Sequence, residues 1–244
     1  RVCTTGTPLK SPAQVGNGKF AFGMDITGLQ TFVPFNTLSD WSWHSFPLPE
    51  GMRAEDYRPV AVETHGKKIA YELRNPDQPE LSERLTKNPH RYKLGRIGFR
   101  LLREDGTEAR EIDLGNARQE IDLWTGVVYS RFELNRKEVK VRTVCHPDKD
   151  MIGVSIESEL LNDGNMSIYL DFPYPDGRYF KHYIGRYDTI SGHTSTFEKL
   201  APNSVRITRT MAATHYYATL DRTGPATFSR ASKNAHHFLL QPPH

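Results

Sequence analysis

Residues 15–26 read Val-Gly-Asn-Gly-Lys-Phe-Ala-Phe-Gly-Met-Asp-Ile, and the alternation inside them decides the fold class. Phe20, Phe22, Met24 and Ile26 fall on one side of an extended chain, and Lys19, Ala21, Gly23 and Asp25 on the other. A period of two is the pattern of a half-buried β-strand. The strand is entered through Gly16-Asn17-Gly18, a turn signal. With no Gly-Lys-Ser/Thr and no helical pattern behind it, this turn is not a phosphate loop. The stretch continues through Thr27-Gly-Leu-Gln-Thr-Phe32 and reaches Ser39-Asp-Trp-Ser-Trp-His-Ser-Phe46. There two Trp, one His and one Phe fall within six residues, with Pro34, Pro47 and Pro49 around them. A polar, proline-bounded segment of this kind reads as a rigid loop displaying aromatic faces.

Outward from this stretch the same period of two recurs. Ile69, Tyr71 and Leu73 share one face, and Leu94, Ile97, Phe99 and Leu101 precede Glu104-Asp-Gly106, a hairpin signal. The middle of the chain is the most regular, with strands expected at 120–124, 127–134, 138–145, 152–161 and 166–172. Thr125-Gly126, Asn135-Arg136, Pro147 to Asp150 and Asn162 to Asn165 separate them, and such short connections imply antiparallel neighbours. Further strands are expected at 183–190, 194–200, 205–210, 214–220 and 235–240. Helical spacing is confined to Pro79–Lys87, where Leu81 and Leu85 stand at i and i+4. The pattern predicts an all-β domain over residues 1–244, with little helix and with two large packed antiparallel sheets in place of a small barrel.

Composition narrows the function classes. The 32 basic and 29 acidic residues leave a net charge of +3, too even a balance to argue for nucleic acid. Acidic Glu133 and Glu138 interleave with Arg131, Arg136, Lys137, Lys140 and Arg142, which reads as solvated strand faces. No apolar run approaches the ~18 residues of a membrane-crossing helix, and a membrane partner is not expected. The opening Arg1-Val-Cys-Thr-Thr is neither a signal peptide nor an initiator Met, so the chain is expected to be a mature or trimmed form. Two cysteines do not make a disulfide scaffold, although a Cys3–Cys145 bridge stays open. Cys145 continues the alternation of Val139, Val141 and Thr143 as a strand thiol, and adjacent His146 would point to the opposite face. Asn165-Met-Ser167 fits a glycosylation sequon.

Two irregular runs break the meander. Residues 32–58 exceed the ~12–15 residues beyond which an unstructured connection is usually functional or disordered, and their aromatic content argues against disorder. Phe172-Pro-Tyr-Pro-Asp-Gly-Arg-Tyr-Phe180 is stiffened by prolines and carries Tyr174, Arg178 and Tyr179. It is either a sandwich-edge loop packed by its own rings or a second wall of a carbohydrate site.

The Gly-Asn-Gly strand, its continuation to Phe32, the Trp-x-Trp-His-Ser-Phe46 loop and Phe-Pro-Tyr-Pro175 together resemble the N-terminal module of six-hairpin glycosidases. In that architecture a galactose-mutarotase-like β-super-sandwich precedes an (α/α)6 barrel. The resemblance implies a secreted or periplasmic carbohydrate-active enzyme, most simply a glycoside hydrolase degrading an oligo- or polysaccharide. It also implies a C-terminal helical barrel domain as the module's partner. Catalytic carboxylates in such enzymes come mainly from the barrel. Glycoside hydrolysis needs two carboxyl groups about 5–9.5 Å apart. The acidic pairs here, Glu133 with Glu138, Glu157 with Glu159 and Asp148 with Asp150, read as strand exteriors and turns. No catalytic residue is therefore assigned.

The candidate sugar-binding residues are Asp40, Trp41, Trp43, His44, Tyr174 and Arg178. Sugar C–H faces stack on aromatic rings, and hydroxyls need fixed polar partners. Asp40 could orient His44 for a sugar hydroxyl or for acid–base work; otherwise His44 packs on Trp41 and bonds the backbone. The ten histidines lack metal-ligand spacing, Gly-x-Ser-x-Gly does not occur, and neither metal nor cofactor is assigned. Other readings remain open. One is part of a polysaccharide lyase acting on uronates, with His44 and Arg178 or Arg186 as the parts. Another is a stand-alone carbohydrate-binding module on Trp41 and Trp43, and a last is a purely structural interface domain.

Overall fold

A computed structural model describes residues 2–175, 184–232 and 236–243. Its regular structure is overwhelmingly antiparallel β, as the alternation requires. The largest sheet has five strands in the order Val2–Thr4, Gly115–Asp122, Val127–Leu134, Lys137–Cys145 and Ile152–Glu157. Register follows burial. Val128, Phe132, Leu134, Val139 and Val141 face inward, and their neighbours Arg131 and Lys140 pair on the outside.

The opening stretch forms the layer that covers this sheet. Strands Ala13–Gly16, Phe20–Met24 and Thr37–Ser39 make a three-stranded sheet, and Val15, Phe20, Phe22 and Met24 pack with Val139 and Val141 in one apolar cluster. Each ring removed from water contributes roughly 1.5–3 kcal/mol. The Gly-Asn-Gly turn reaches further than a turn must. Asn17 Oδ1 accepts from the Lys19 and Phe20 amides, while Asn17 Nδ2 donates to the His146 and Lys149 carbonyls, each at 3.1 Å. Gly18 adopts φ +89°, which glycine takes without strain.

Asp25 then fixes the continuation to Phe32. It is fully buried, and its carboxylate accepts from the Thr27 amide and hydroxyl and from the Phe32 and Val33 amides, at 2.6–3.2 Å. Gly28, at φ +85°, follows in this loop; a Cβ there would lie 2.9 Å from Ser130 Oγ. The conformation and the close approach both require glycine.

A second cluster lies between two further sheets. One orders Thr227–Arg230, His237–Gln241, Met166–Asp171 and Arg96–Leu101; the other orders His193–Ala201, Ser204–Met211 and Thr214–Asp221. Leu170, Phe172, Val205, Ile207, Phe228 and Phe238 fill the space between. Leu94, Ile97 and Ile168 pack against both clusters and join them. Two small pairs complete the strands, Trp43–His44 with His90–Arg91 and Val60–Thr64 with Lys67–Tyr71. The helix spans Pro79–Lys87, with Leu81 buried.

The departures from expectation have local causes. The strand expected at 120–124 runs over Gly115–Asp122, because a bulge between Gly115 and Arg118 hides its start from a period-two reading. The strand expected over 152–161 stops at Glu157. There Ser158 Oγ accepts from the Leu160 amide and caps a 3-10 turn. Residues 184–190 are not the strand expected over 183–190. Gly185 takes φ +74°, which breaks the extended chain, and the segment makes one isolated bridge, Arg186 with Tyr174. Cys3 and Cys145 are both free thiols, so the open bridge between them is not formed.

Candidate ligand-binding surface

Strand Thr37–Ser39 delivers the aromatic loop to the edge of the covering sheet, where the Asp40 amide donates to the Lys19 carbonyl at 2.8 Å. Ser42 then closes a tight turn. Its hydroxyl donates to the Ser39 carbonyl at 2.7 Å and accepts from the Ser39 amide at 3.1 Å. The Trp43 amide donates to the Trp41 carbonyl at 2.7 Å, which throws both indoles outward. Trp41 and Trp43 are each 46% exposed.

Both rings are nonetheless held. Trp41 Nε1 donates to Asp150 Oδ2 at 2.6 Å, and Ser39 Oγ donates to the same oxygen at 2.6 Å. Tyr216 supports the Trp41 ring from below, with centroids 6.0 Å apart. Trp43 Nε1 donates to the Asp40 carbonyl at 3.0 Å, and the Arg91 guanidinium lies 4.4 Å over the Trp43 ring. Arg91 also donates to the Ser39 carbonyl, so the cation is pinned to the loop. An indole half open to solvent with its N–H already satisfied offers an apolar face without a polar desolvation cost.

A groove of about 490 Å³ opens beside this loop. Gln14, Lys19, Ser39, Asp40 and Arg91 line it, together with main chain at Gly16 and Gly18. Small-molecule sites typically fall within ~300–1,000 Å³. The turn that defines the fold and the loop that displays the rings therefore meet at one surface depression. Its lining carries both signs of charge and several hydrogen-bonding groups.

His44 lies on the other side of the loop. It alternates with Trp43 in the short strand and is buried against Phe46, His90 and Tyr92, with ring centroids 5.0, 5.4 and 6.3 Å away. Its Nδ1 meets Thr214 Oγ1 at 2.8 Å. Burial and, secondarily, His90 hold its pKa down to about 4, so the ring is neutral at pH 7. Neither expected arrangement of His44 forms. Its partner is the Thr214 hydroxyl, where backbone or Asp40 was expected, and its packing partners are Phe46, His90 and Tyr92, where Trp41 was expected. Adjacent strand residues point to opposite faces, so Trp43 at the surface sends His44 inward.

Tyr174 sits behind the loop. Its ring lies 6.0 Å from Phe46 and 5.2 Å from His193, and its amide and carbonyl exchange 2.8 Å hydrogen bonds with Arg186. The two irregular runs therefore meet through Phe46 and Tyr174. Asp40 lines the groove and Trp41 and Trp43 follow it on the same exposed loop, whereas His44 and Tyr174 pack behind that loop. Arg178 lies outside the described residues.

Two groups escaped the sequence. Asp150 carries no local signal of its role, because its partner Trp41 lies 109 residues away. Arg209 did carry one. It stands between Ile207 and Met211 on the apolar face of its strand, a core position by alternation. Fully buried, it donates from Nη1 to the Thr194 carbonyl at 3.1 Å and to Ser195 Oγ at 2.5 Å. From Nη2 it reaches the Pro173 carbonyl at 3.2 Å and His193 Nδ1 at 2.6 Å. Burial holds the His193 pKa down to about 4, which keeps that ring a neutral acceptor. Cys145 is no better as a nucleophile, because burial and Asp150 push its thiol pKa up.

No protein-family model matches the chain, and no curated protein matches it in sequence.

Proposed function

We propose that this chain is a carbohydrate-binding β domain, the N-terminal support of a carbohydrate-active enzyme, most simply a glycoside hydrolase. It would hold a sugar against Trp41 and Trp43. The observation that carries the reading is the pair of half-exposed indoles whose N–H groups are already satisfied, on a loop beside a groove of about 490 Å³ of mixed polar and apolar lining. A pyranose presents C–H faces to rings and hydroxyls to Asp40, Lys19 and Arg91, the mixture this surface offers. In this reading the domain contributes binding, while acid–base chemistry belongs to a helical barrel partner.

The lyase alternative gains nothing from His44, which is neutral but walled in by Phe46, His90 and Tyr92, away from the groove. The stand-alone binding module rests on the same indoles and differs only in needing no partner domain. A glycan array probed with the purified chain tests the shared claim. Retention on a defined set of glycans, lost in Trp43→Ala, supports it. Equal signals from wild type and variant on every glycan remove it.

A further inference from the structure

Lys93 lies between the paired residues His90–Arg91 and the strand Arg96–Leu101 and is only 1% exposed. An ammonium taken out of water needs acceptors for its three N–H groups. Among the described residues Lys93 Nζ is buried with no hydrogen-bond partner, and its nearby ring is Tyr187, whose centroid is 5.6 Å away. The Tyr187 hydroxyl is likewise buried with no hydrogen-bond partner among the described residues. Arg96 approaches the same ring at 5.9 Å, but its Nε and Nη2 are spent on the Gln30 and Thr31 carbonyls at 2.7 and 2.6 Å. The carboxylate on this side is Asp171, whose Oδ2 faces His237 Nδ1 at 3.4 Å. Burial, then the like charge of Arg96, holds the Lys93 pKa well below the ordinary lysine value, with Asp171 opposing.

We propose that Lys93 Nζ and the Tyr187 hydroxyl form an internal site for a small carboxylate anion of the size of acetate, beneath segment 184–190. Both groups donate hydrogen bonds and both lack an acceptor, so the missing partner is an acceptor. Among the described residues Lys93 and Arg96 face one carboxylate, Asp171, so an anion is the favourable acceptor. Lys93 Nζ lies 5.6 Å from the centroid of the Tyr187 ring, so the two unpartnered donors share one locality, and a charge-assisted bond from the ammonium would be the stronger of the two. The groove beside Trp43 is lined by other residues, so this site is separate from the proposed sugar surface. Among the described residues, segment 184–190 is joined to the body through the Tyr174–Arg186 bridge, the His193 Nε2 to Thr189 carbonyl contact at 2.8 Å and the His236 Nε2 to Ile190 carbonyl contact at 3.4 Å. Few bonds need to open for an anion to enter.

Thermal unfolding of the whole chain at pH 7, in sodium acetate against sodium chloride at equal ionic strength, tests the site. The expected result is a Tm that climbs and saturates with acetate and stays flat in chloride, because a ligand that binds only the folded state stabilises it by mass action. Lys93→Met abolishes the acetate response. Tyr187→Phe, which retains the ammonium, shifts its midpoint to several-fold higher acetate. Should Lys93→Met fail to fold, the Tyr187→Phe shift and broadening of the ¹³C-acetate resonance by wild-type protein carry the test. Identical Tm curves in the two salts, or a response unchanged in either variant, overturn the proposal and leave Lys93 a buried amine met by water alone.

Discussion

The Trp41 indole N–H donates to Asp150 Oδ2 at 2.6 Å, so the turn between two strands of the large sheet sets the pose of a ring in the covering layer. The same oxygen accepts from Ser39 Oγ, and Asn17 clamps the Lys149 carbonyl one residue away. Turn, loop and Gly-Asn-Gly entry thus form one hydrogen-bonded unit. Asp150→Ala is expected to free the Trp41 ring at a stability cost of only ~1 kcal/mol, because Asp150 is exposed. Glycan affinity falls by up to about tenfold, with Asp150→Asn closer to wild type because its amide oxygen still accepts. Calorimetric titration paired with urea unfolding separates the two effects.

Asp25→Ala should cost far more. It strands the buried Thr27 amide and the partly buried Phe32 and Val33 amides that the carboxylate now satisfies. The expected loss is ~3–5 kcal/mol, read as a drop in the urea midpoint at unchanged slope.

Acid should destabilise the protein through its buried histidines. His44 and His193 have folded pKa values held down to about 4 from 6.5 by burial. Above about pH 7.5 both rings are neutral folded or unfolded and make no difference. As pH falls from 6.5 toward 4 the unfolded chain takes up protons that the folded chain refuses, and stability drops. Each group accounts for about 3 kcal/mol across that window. Unfolding free energies measured at half-unit steps should show this slope, and His44→Asn should make it shallower.

The sheets were legible where one face is buried and the other solvated. The alternation over 127–134 and 138–145 matches strands Val127–Leu134 and Lys137–Cys145 almost to the residue, and Pro79–Lys87 is the helix. It failed where tertiary geometry overrides the period, at the bulge before Arg118 and at Gly185. At the surface, the exposure of Trp41 and Trp43 was readable from their polar, proline-bounded setting. Asp150 was not, because a contact across 109 residues leaves no local trace. His44 was misread because the two-residue strand that turns it inward forms only through pairing with His90–Arg91.

Arg209→Lys should not rescue the role of Arg209. A single ammonium cannot reach the Thr194 and Pro173 carbonyls together with Ser195 and His193 as the guanidinium fork does. A loss of ~2–4 kcal/mol is expected for Lys and for Met alike, measured by urea unfolding.

The most direct measurement is calorimetric titration of soluble oligosaccharides into wild-type protein and into Trp41→Ala and Trp43→Ala. Binding by wild type that weakens about tenfold in each variant, ~1–2 kcal/mol per ring, with a stability loss of no more than ~1–2 kcal/mol and the fold intact is the expected result. Equal affinity in all three proteins contradicts a sugar-binding role for the indole pair.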